Sequence, residues 1–208
     1  MLVYFDKEQN AVAQTMGRYH PWTVTTATPD GRYIDFKANP GEIRTGLEDL
    51  RYVEGTAIED AIVDFIAWAN GPASPFETND FGLRPLRSNG SGVSSKALEQ
   101  MCRVTVFFRE LRRNTLGGDL TPFARRLERA LKRIAPQFDQ ACWGWALWPH
   151  LFLALGDEDD PDAEGNVIQL QLWGWGDTAQ EVHSNMIRAF AVLRTALEET
   201  ETGGEAPA

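Results

Sequence analysis

Residue types that could carry out chemistry are concentrated in one polar segment, residues 76–84, with the sequence FETNDFGLR. Glu77 and Asp80 could act as general acids or bases, Arg84 could hold an anionic group, and a histidine could transfer protons near neutral pH. His150 is the best placed of the three histidines to complete such a site. A small hydrolase would require these four side chains to converge in one cleft. The alternative is that the polar groups form turns that satisfy their own backbone.

No other pattern in the chain indicates catalysis. There is no G-x-S-x-G elbow, phosphate-binding loop, G-x-G-x-x-G fingerprint or metal-binding spacing of histidines. Asp160, Asp162 and Glu164 match the first half of a calcium loop, but the twelfth position is Gln171 instead of the bidentate glutamate. We therefore expect a protein without catalytic activity, cofactor or metal, in which this acidic stretch is a solvated hairpin tip.

A basic segment, residues 94–134, stands out in an otherwise acidic chain. It carries ten lysines and arginines against four carboxylates, a net of +6, whereas the whole chain carries −10 and the remainder −16. The arginines that define this basic patch are Arg109, Arg112, Arg113, Arg125, Arg126, Arg129 and Arg133. Arginine forms bidentate contacts with phosphate, so one hypothesis is nucleic-acid binding by a pair of helices. The alternative is that these helices are solvated or pack against acidic parts of the same protein.

The most distinctive pattern is residues 142–176, where two apolar runs flank an acidic loop and contain five of the seven tryptophans. This arrangement predicts a long β-hairpin. If the loop centres near Pro161, Phe152 lies opposite Leu170, and alternation along the strands divides the side chains between two faces. One face would then collect Trp143, Trp145, Gln169, Gln171, Trp173 and Trp175.

Indole rings beside amide groups suit a surface that binds a partner protein, a sugar or stacked bases. The alternative is that both faces are buried and these tryptophans are core residues. Which of the two holds depends on the register, because a slip of one residue exchanges the faces of one strand.

These patterns predict an α+β fold with an antiparallel sheet built from two hairpins, at about 22–38 and 142–176. Helices are expected at about 56–69, 95–113, 121–134 and 177–197, packed mainly on one face of the sheet. Residues 1–197 are predicted to form a single domain, and residues 198–208 an acidic, disordered tail.

The favoured function is a non-catalytic protein-binding module, such as an inhibitor, an immunity-type protein or an adaptor. The acidic surface would attract a partner, expected to be another protein and a basic one. Nucleic acid and a second copy of the chain remain as alternative partners. No apolar run approaches the ~20 residues of a membrane span, so we expect no membrane partner and a cytoplasmic location.

Overall fold

A computed structural model describes residues 1–15, 18–21, 33–90, 92–156 and 159–202 and shows an α+β fold. Three long strands form the centre of an eight-stranded sheet, and shorter strands flank them. The strands are β1 (Leu2–Phe5), β2 (Arg18–His20), β3 (Phe76–Glu77), β4 (Phe81–Leu83), β5 (Arg87–Ser88), β6 (Leu98–Phe108), β7 (Ala141–Phe152) and β8 (Glu164–Gly176). The helices are α1 (Lys7–Ala13), α2 (Ile43–Gly46), α3 (Ala57–Asn70), α4 (Leu120–Ile134) and α5 (Ala179–Thr202).

The sheet is mixed rather than antiparallel. β7, β8 and β6 pair antiparallel in that order, and β3, β4 and β5 each pair antiparallel with β6. At the opposite edge, β1 and β2 both run parallel to β7, one after the other. The helix α1 lies in the chain between these two short strands, which occupy successive parts of the same edge of β7.

Helices α3, α4 and α5 cover one face of the sheet, which we call the helical face. α5 contacts β8, and both α3 and α4 contact α5. The Phe190 ring of α5 lies 5.9 Å from Trp143 of β7 and 5.3 Å from Phe65 of α3, so aromatic packing links the sheet to α5 and α5 to α3. On the other face, a smaller cluster forms around Phe107, Trp148 and Phe152. No helix in the described ranges combines the length and apolar character needed to cross a lipid bilayer.

The register of the β7–β8 hairpin differs from the predicted one. Leu147 lies opposite Ile168, and Trp143 lies opposite Leu172. The connection runs from residue 153 to residue 163 and is centred near 158, not near Pro161. The resulting shift is an odd number of residues, so it moves one strand's side chains to the opposite face.

Residues 98–108 form strand β6, so the predicted helix over 95–113 is wrong. The helical spacing of Leu98, Met101, Thr105 and Phe108 arises because β6 is buried on both faces, which makes the apolar run nearly continuous. The β-branched and aromatic residues at 104–108 favour a strand, and pairing with β8 along nine residues stabilises it. The predicted helix pair is therefore one central strand followed by the helix α4.

One further prediction falls largely outside the described residues, and another needs correction. The first hairpin, at about 22–38, lies largely outside the described residues, and residues 33–38, where its second strand was expected, form an irregular segment and a turn. The predicted disordered tail begins too early, because α5 continues through Thr202. Glu199 pairs with Arg133 and Glu201 with Arg113, which anchors this last turn to the body of the protein. Residues 203–208 lie outside the described ranges.

Candidate functional site: a groove beyond the helical layer

A groove of about 690 Å³ lies over the last part of β7 on the helical face. Its floor is formed by Leu147, Pro149 and Leu151, which alternate along the strand and are only half-buried. The preceding residue on this face, Trp145, is 3% exposed because α4 covers it, and its indole N–H donates to Glu128 Oε2 at 3.1 Å. The groove therefore begins where the helical layer ends and leaves an apolar part of the sheet uncovered.

Elements on both sides of β7 form the walls of this groove. Phe5 at the end of β1, Asn10 of α1, Gln14 just after α1, and Tyr19 of β2 follow the edge of the sheet. Asn10 Oδ1 accepts a hydrogen bond of 3.2 Å from the Leu147 backbone N–H, which satisfies β7 in the gap between the two parallel edge strands. On the other side stands Leu116, 68% exposed, in the loop before α4.

Leu116 is held over the floor by a close approach of its loop to β8. The Asn114 side chain is fully buried and bonds both the N–H and the C=O of Phe108, which fixes the turn. Thr115 forms an isolated bridge with Gly165, and the Leu116 N–H donates to the Glu164 carbonyl at 3.1 Å. A Cβ at position 165 would lie 2.3 Å from the Asn114 carbonyl oxygen, so this approach requires glycine.

Charged side chains stand at both ends of the groove: Arg125 at one end, and Glu164 with Arg18 at the other. The Arg18 guanidinium is neutralised by Asp80 at 3.4 Å and lies over the Trp148 ring, so Glu164 carries the unpaired charge at that end. Arg125 lies at the Trp145 end, with its guanidinium 4.9 Å from the Trp145 ring and 5.1 Å from the Phe5 ring. Glu164 lies at the other end, where it pairs with Leu151 in the β7–β8 ladder, and its side chain is exposed. An apolar floor with a cation at one end and a carboxylate at the other can hold an amphipathic ligand in a defined direction.

His150 reaches the groove from the end of β7 but is 5% exposed. Its Nε2 lies 3.3 Å from Asn79 Nδ2, and its Nδ1 lies 3.1 Å from the Trp148 carbonyl oxygen. Burial, with a smaller contribution from the nearby Arg18, lowers the pKa of His150 to about 4, so the imidazole is neutral near pH 7. The structure thus brings His150 to the polar segment 76–84, through Asn79.

The other residues of the hypothetical hydrolytic site are engaged elsewhere. Glu77 is buried, pairs with Lys37 Nζ at 2.7 Å and lies 3.7 Å from Arg109 Nε. Burial raises the pKa of Glu77, and Lys37 opposes that shift. Glu77 is therefore a buried carboxylate held beside two cations.

Asp80 lies between two guanidinium groups, 3.0 Å from Arg103 Nε and 3.4 Å from Arg18 Nη1. Arg84 stands further along the sheet, where its N–H bonds the Met101 carbonyl oxygen. His150 meets segment 76–84 through Asn79, and Asp80 is close enough to raise its pKa, whereas Glu77 and Asp80 each pair with other side chains. A site formed by Glu77, Asp80, Arg84 and His150 together stays a prediction.

The predicted basic patch is divided between separate parts of the fold. Arg109, at the end of β6, donates to the carbonyl oxygens of Asn70 and Gly71 at the C-terminus of α3. Arg113 binds Asp119 at 2.8 Å and Glu201 at 2.6 Å, which raises the pKa of the guanidinium. Arg112 is exposed in the turn after β6.

The remaining arginines, Arg125, Arg126, Arg129 and Arg133, lie on α4. Arg126 stands over the Phe123 ring, Arg129 is exposed, and Arg133 pairs with Glu199. These contacts show that several of the arginines neutralise the protein's own acidic groups, while Arg125 contributes to the groove.

The predicted tryptophan surface does not exist as one face. The observed register turns Trp143 and Trp145 toward the helices, where both are buried, and places Gln169, Gln171, Trp173 and Trp175 on the opposite face. Trp175 and Gln169 are buried there as well, so only Gln171 and Trp173 of the predicted set are partly exposed. The tryptophans act mainly as core residues.

Most groove residues were not singled out by sequence. Phe5, Tyr19 and Leu116 lie far apart in the chain and meet only because β1 and β2 both pair with β7. One feature of the sequence could have pointed to the groove: Leu116 is an apolar residue followed by two glycines, in a segment expected to form a turn. Within the described ranges no three His, Cys, Asp or Glu side chains are grouped to hold a metal ion. Comparisons of the chain with protein-family models, with curated proteins and with solved structures find no match.

Proposed function

We propose that this protein is a non-catalytic, cytoplasmic protein-binding module, of the inhibitor, immunity or adaptor type, and that it holds a segment of its partner in the groove over β7. The observation that carries the proposal is the uncovered apolar floor at Leu147, Pro149 and Leu151, beside an exposed Leu116. An exposed leucine costs free energy in water, which a partner's apolar side chain would recover.

The composition of the groove supports a protein partner. Binding energy at protein interfaces is concentrated in a few aromatic and arginine side chains next to apolar contacts. Phe5, Tyr19 and Arg125 supply these types around the leucines, and the groove is of a size that suits one short segment.

The net charge of −10 supports a partner that is basic overall. A strongly acidic protein attracts a basic one over distances of about a Debye length, which raises the association rate. The groove would then determine where the encountered partner is held, because electrostatic attraction contributes more to rate and selectivity than to affinity.

A pair of matched variants tests this proposal. Leu116→Asp places a charge in the groove wall, and Val93→Asp makes the same change at a residue that is 62% exposed but does not line the groove. Immobilised wild-type and variant proteins would be compared for capture of proteins from cells of the native host, with quantitative mass spectrometry. Thermal unfolding of both variants confirms that they are folded.

We expect at least one protein to be captured by the wild type and by Val93→Asp, and to be lost with Leu116→Asp. Equal capture by all three proteins would contradict binding in the groove. A homodimer that dissociates on Leu116→Asp would also overturn the proposal, because the occupant would then be a second copy of the chain.

A further inference from the structure

We infer that the groove selects an extended segment of about six residues that carries a carboxylate at one end, a cation at the other and apolar side chains between them. This inference rests on the proposed function and names the chemistry of the segment. It follows from the dimensions of the floor and from the charges at its two ends.

The length of the groove sets the length of the segment. From Trp145 to Leu151 the strand advances six residues, or about 20 Å at roughly 3.3 Å per residue. Leu147, Pro149 and Leu151 are spaced two residues apart, about 7 Å. An extended chain presents every second side chain to one side with the same spacing, so alternate apolar residues of the segment match the floor.

The segment is held by side chains rather than by strand pairing. β7 is already paired with β8 on one side and with β1 and β2 on the other, and Asn10 Oδ1 occupies the Leu147 N–H between them. Asn10 and Gln14 instead line the wall of the groove with amide groups, which suit the peptide groups of an extended segment.

Arg125 is positioned to bind a carboxylate at the Trp145 end of the groove. Its guanidinium lies over the adjacent Phe5 and Trp145 rings, and about half of the side chain remains exposed. Its only carboxylate neighbour within 4.0 Å in the described part of the chain is Glu128. Glu128 also accepts from Trp145 Nε1 at 3.1 Å and from Lys132 Nζ at 2.6 Å, so Arg125 keeps donors for a ligand.

Glu164 provides the opposite charge at the Leu151 end. Its carbonyl oxygen accepts from Leu116, while its carboxylate has no cation within 4.0 Å among the residues described. Asp160 and Asp162, in the preceding loop, extend the negative charge beyond this end. A cation on the bound segment would therefore be attracted to the Glu164 end, and a carboxylate repelled from it.

Synthetic peptides test this charge order. The probe is a fluorescein-labelled, amidated Asp-Leu-Thr-Leu-Thr-Lys. Its matched control is Thr-Leu-Asp-Leu-Lys-Thr, which keeps the composition and the positions of the leucines but moves both charges away from the ends. Binding to the intact protein is measured by fluorescence polarisation at 50 and 150 mM salt. We expect the probe to bind about tenfold more tightly than the control, since one well-placed charge pair contributes about that factor.

Variants of the protein test whether Arg125 contacts the carboxylate of the peptide. Arg125→Glu is expected to weaken binding of the probe about tenfold. A peptide with lysine in place of the aspartate should bind this variant with the affinity that the probe has for the wild type. Arg129→Glu is the matched control, because Arg129 is exposed one turn along α4 and does not line the groove. Equal effects of the two substitutions, equal affinity for the two peptides, or no binding of the probe at millimolar concentration would each overturn the inference.

The two proposals can fail separately. If Leu116→Asp abolishes capture of the partner but Arg125→Glu and Glu164→Lys leave that capture unchanged, the groove binds a protein and the charge order is wrong. If Leu116→Asp has no effect on capture, the proposed function itself is wrong.

Discussion

His20 and His150 are buried close to one another, each in contact with the Phe152 ring. Burial lowers the pKa of both imidazoles to about 4, and the neighbouring cations Lys37 and Arg18 lower the pKa of His20 and of His150, respectively. A histidine in the unfolded chain has a pKa of about 6.5. Between pH 6.5 and pH 4 the unfolded chain therefore binds more protons than the folded protein, and the free energy of unfolding falls as the pH falls.

The two histidines should destabilise the folded protein by about 2 kcal/mol each on going from pH 7 to pH 5. His150→Gln, which keeps an amide next to Asn79, is expected to remove about half of this pH dependence. Guanidinium unfolding at pH 7 and pH 5 measures the difference. His183→Gln, on α5, is the comparison: His183 is only half-buried, and burial also lowers its pKa, so this variant should remove a smaller part of the pH dependence. An unchanged pH dependence in His150→Gln would show that its pKa is not depressed.

At the scale of elements, the position of the groove wall depends on one contact between a turn and a strand. Gly165 of β8 lies against the backbone of Asn114 and Thr115, and this approach places Leu116 above the floor. Gly117, two residues after Thr115, has open space where a Cβ would be, with no atom within 4 Å. The same substitution at the two glycines therefore has opposite structural consequences.

Gly165→Ala is expected to lower the free energy of unfolding by roughly 1–3 kcal/mol, because the added methyl group must displace backbone. Gly117→Ala should change it by less than about 0.5 kcal/mol. Guanidinium unfolding measures both. Gly165→Ala should also weaken capture of the partner, whereas equal stabilities of the two variants would mean that the turn moves away without cost.

Helices with a single buried face could be predicted from the sequence, whereas the central strand β6, which is buried on both faces, could not. α3 and α4 appear at the predicted positions because one apolar stripe repeats at the helical period. β6 was misread because both of its faces are buried, so that its apolar pattern does not distinguish a strand from a helix. The hairpin strands β7 and β8 were recognised, but the length of a polar loop does not determine where the turn is centred.

The candidate site was harder to predict from the sequence than the fold. His150 meets segment 76–84 through Asn79, with Asp80 nearby, and the sequence alone does not reveal which side chain of the segment it contacts. The groove forms from the edge strands β1 and β2, whose parallel pairing with β7 depends on long-range contacts. Arg125 belonged to the predicted basic patch for its charge alone, and only the structure places it beside Phe5 and Trp145.

At the scale of the whole molecule, the charge is unevenly distributed but largely balanced within the fold. Arg113 and Arg133 link the region around α4 to the acidic end of α5, and Lys132 pairs with Glu128 on α4 itself. A polyanion would have to compete with these carboxylates for the arginines while approaching a protein of net charge −10.

We therefore expect fluorescence polarisation to detect no binding of 20-mer single-stranded or duplex oligonucleotides at about 10 µM protein and 150 mM salt, because non-specific affinity arises from net phosphate neutralisation. Any binding seen at 20 mM salt should vanish on raising the salt and be equally weak for all sequences. Micromolar affinity at 150 mM salt that is lost in Arg129→Glu would instead support the nucleic-acid hypothesis. It would mean that the exposed side of α4 acts independently of the net charge, and that the groove is not the principal binding site.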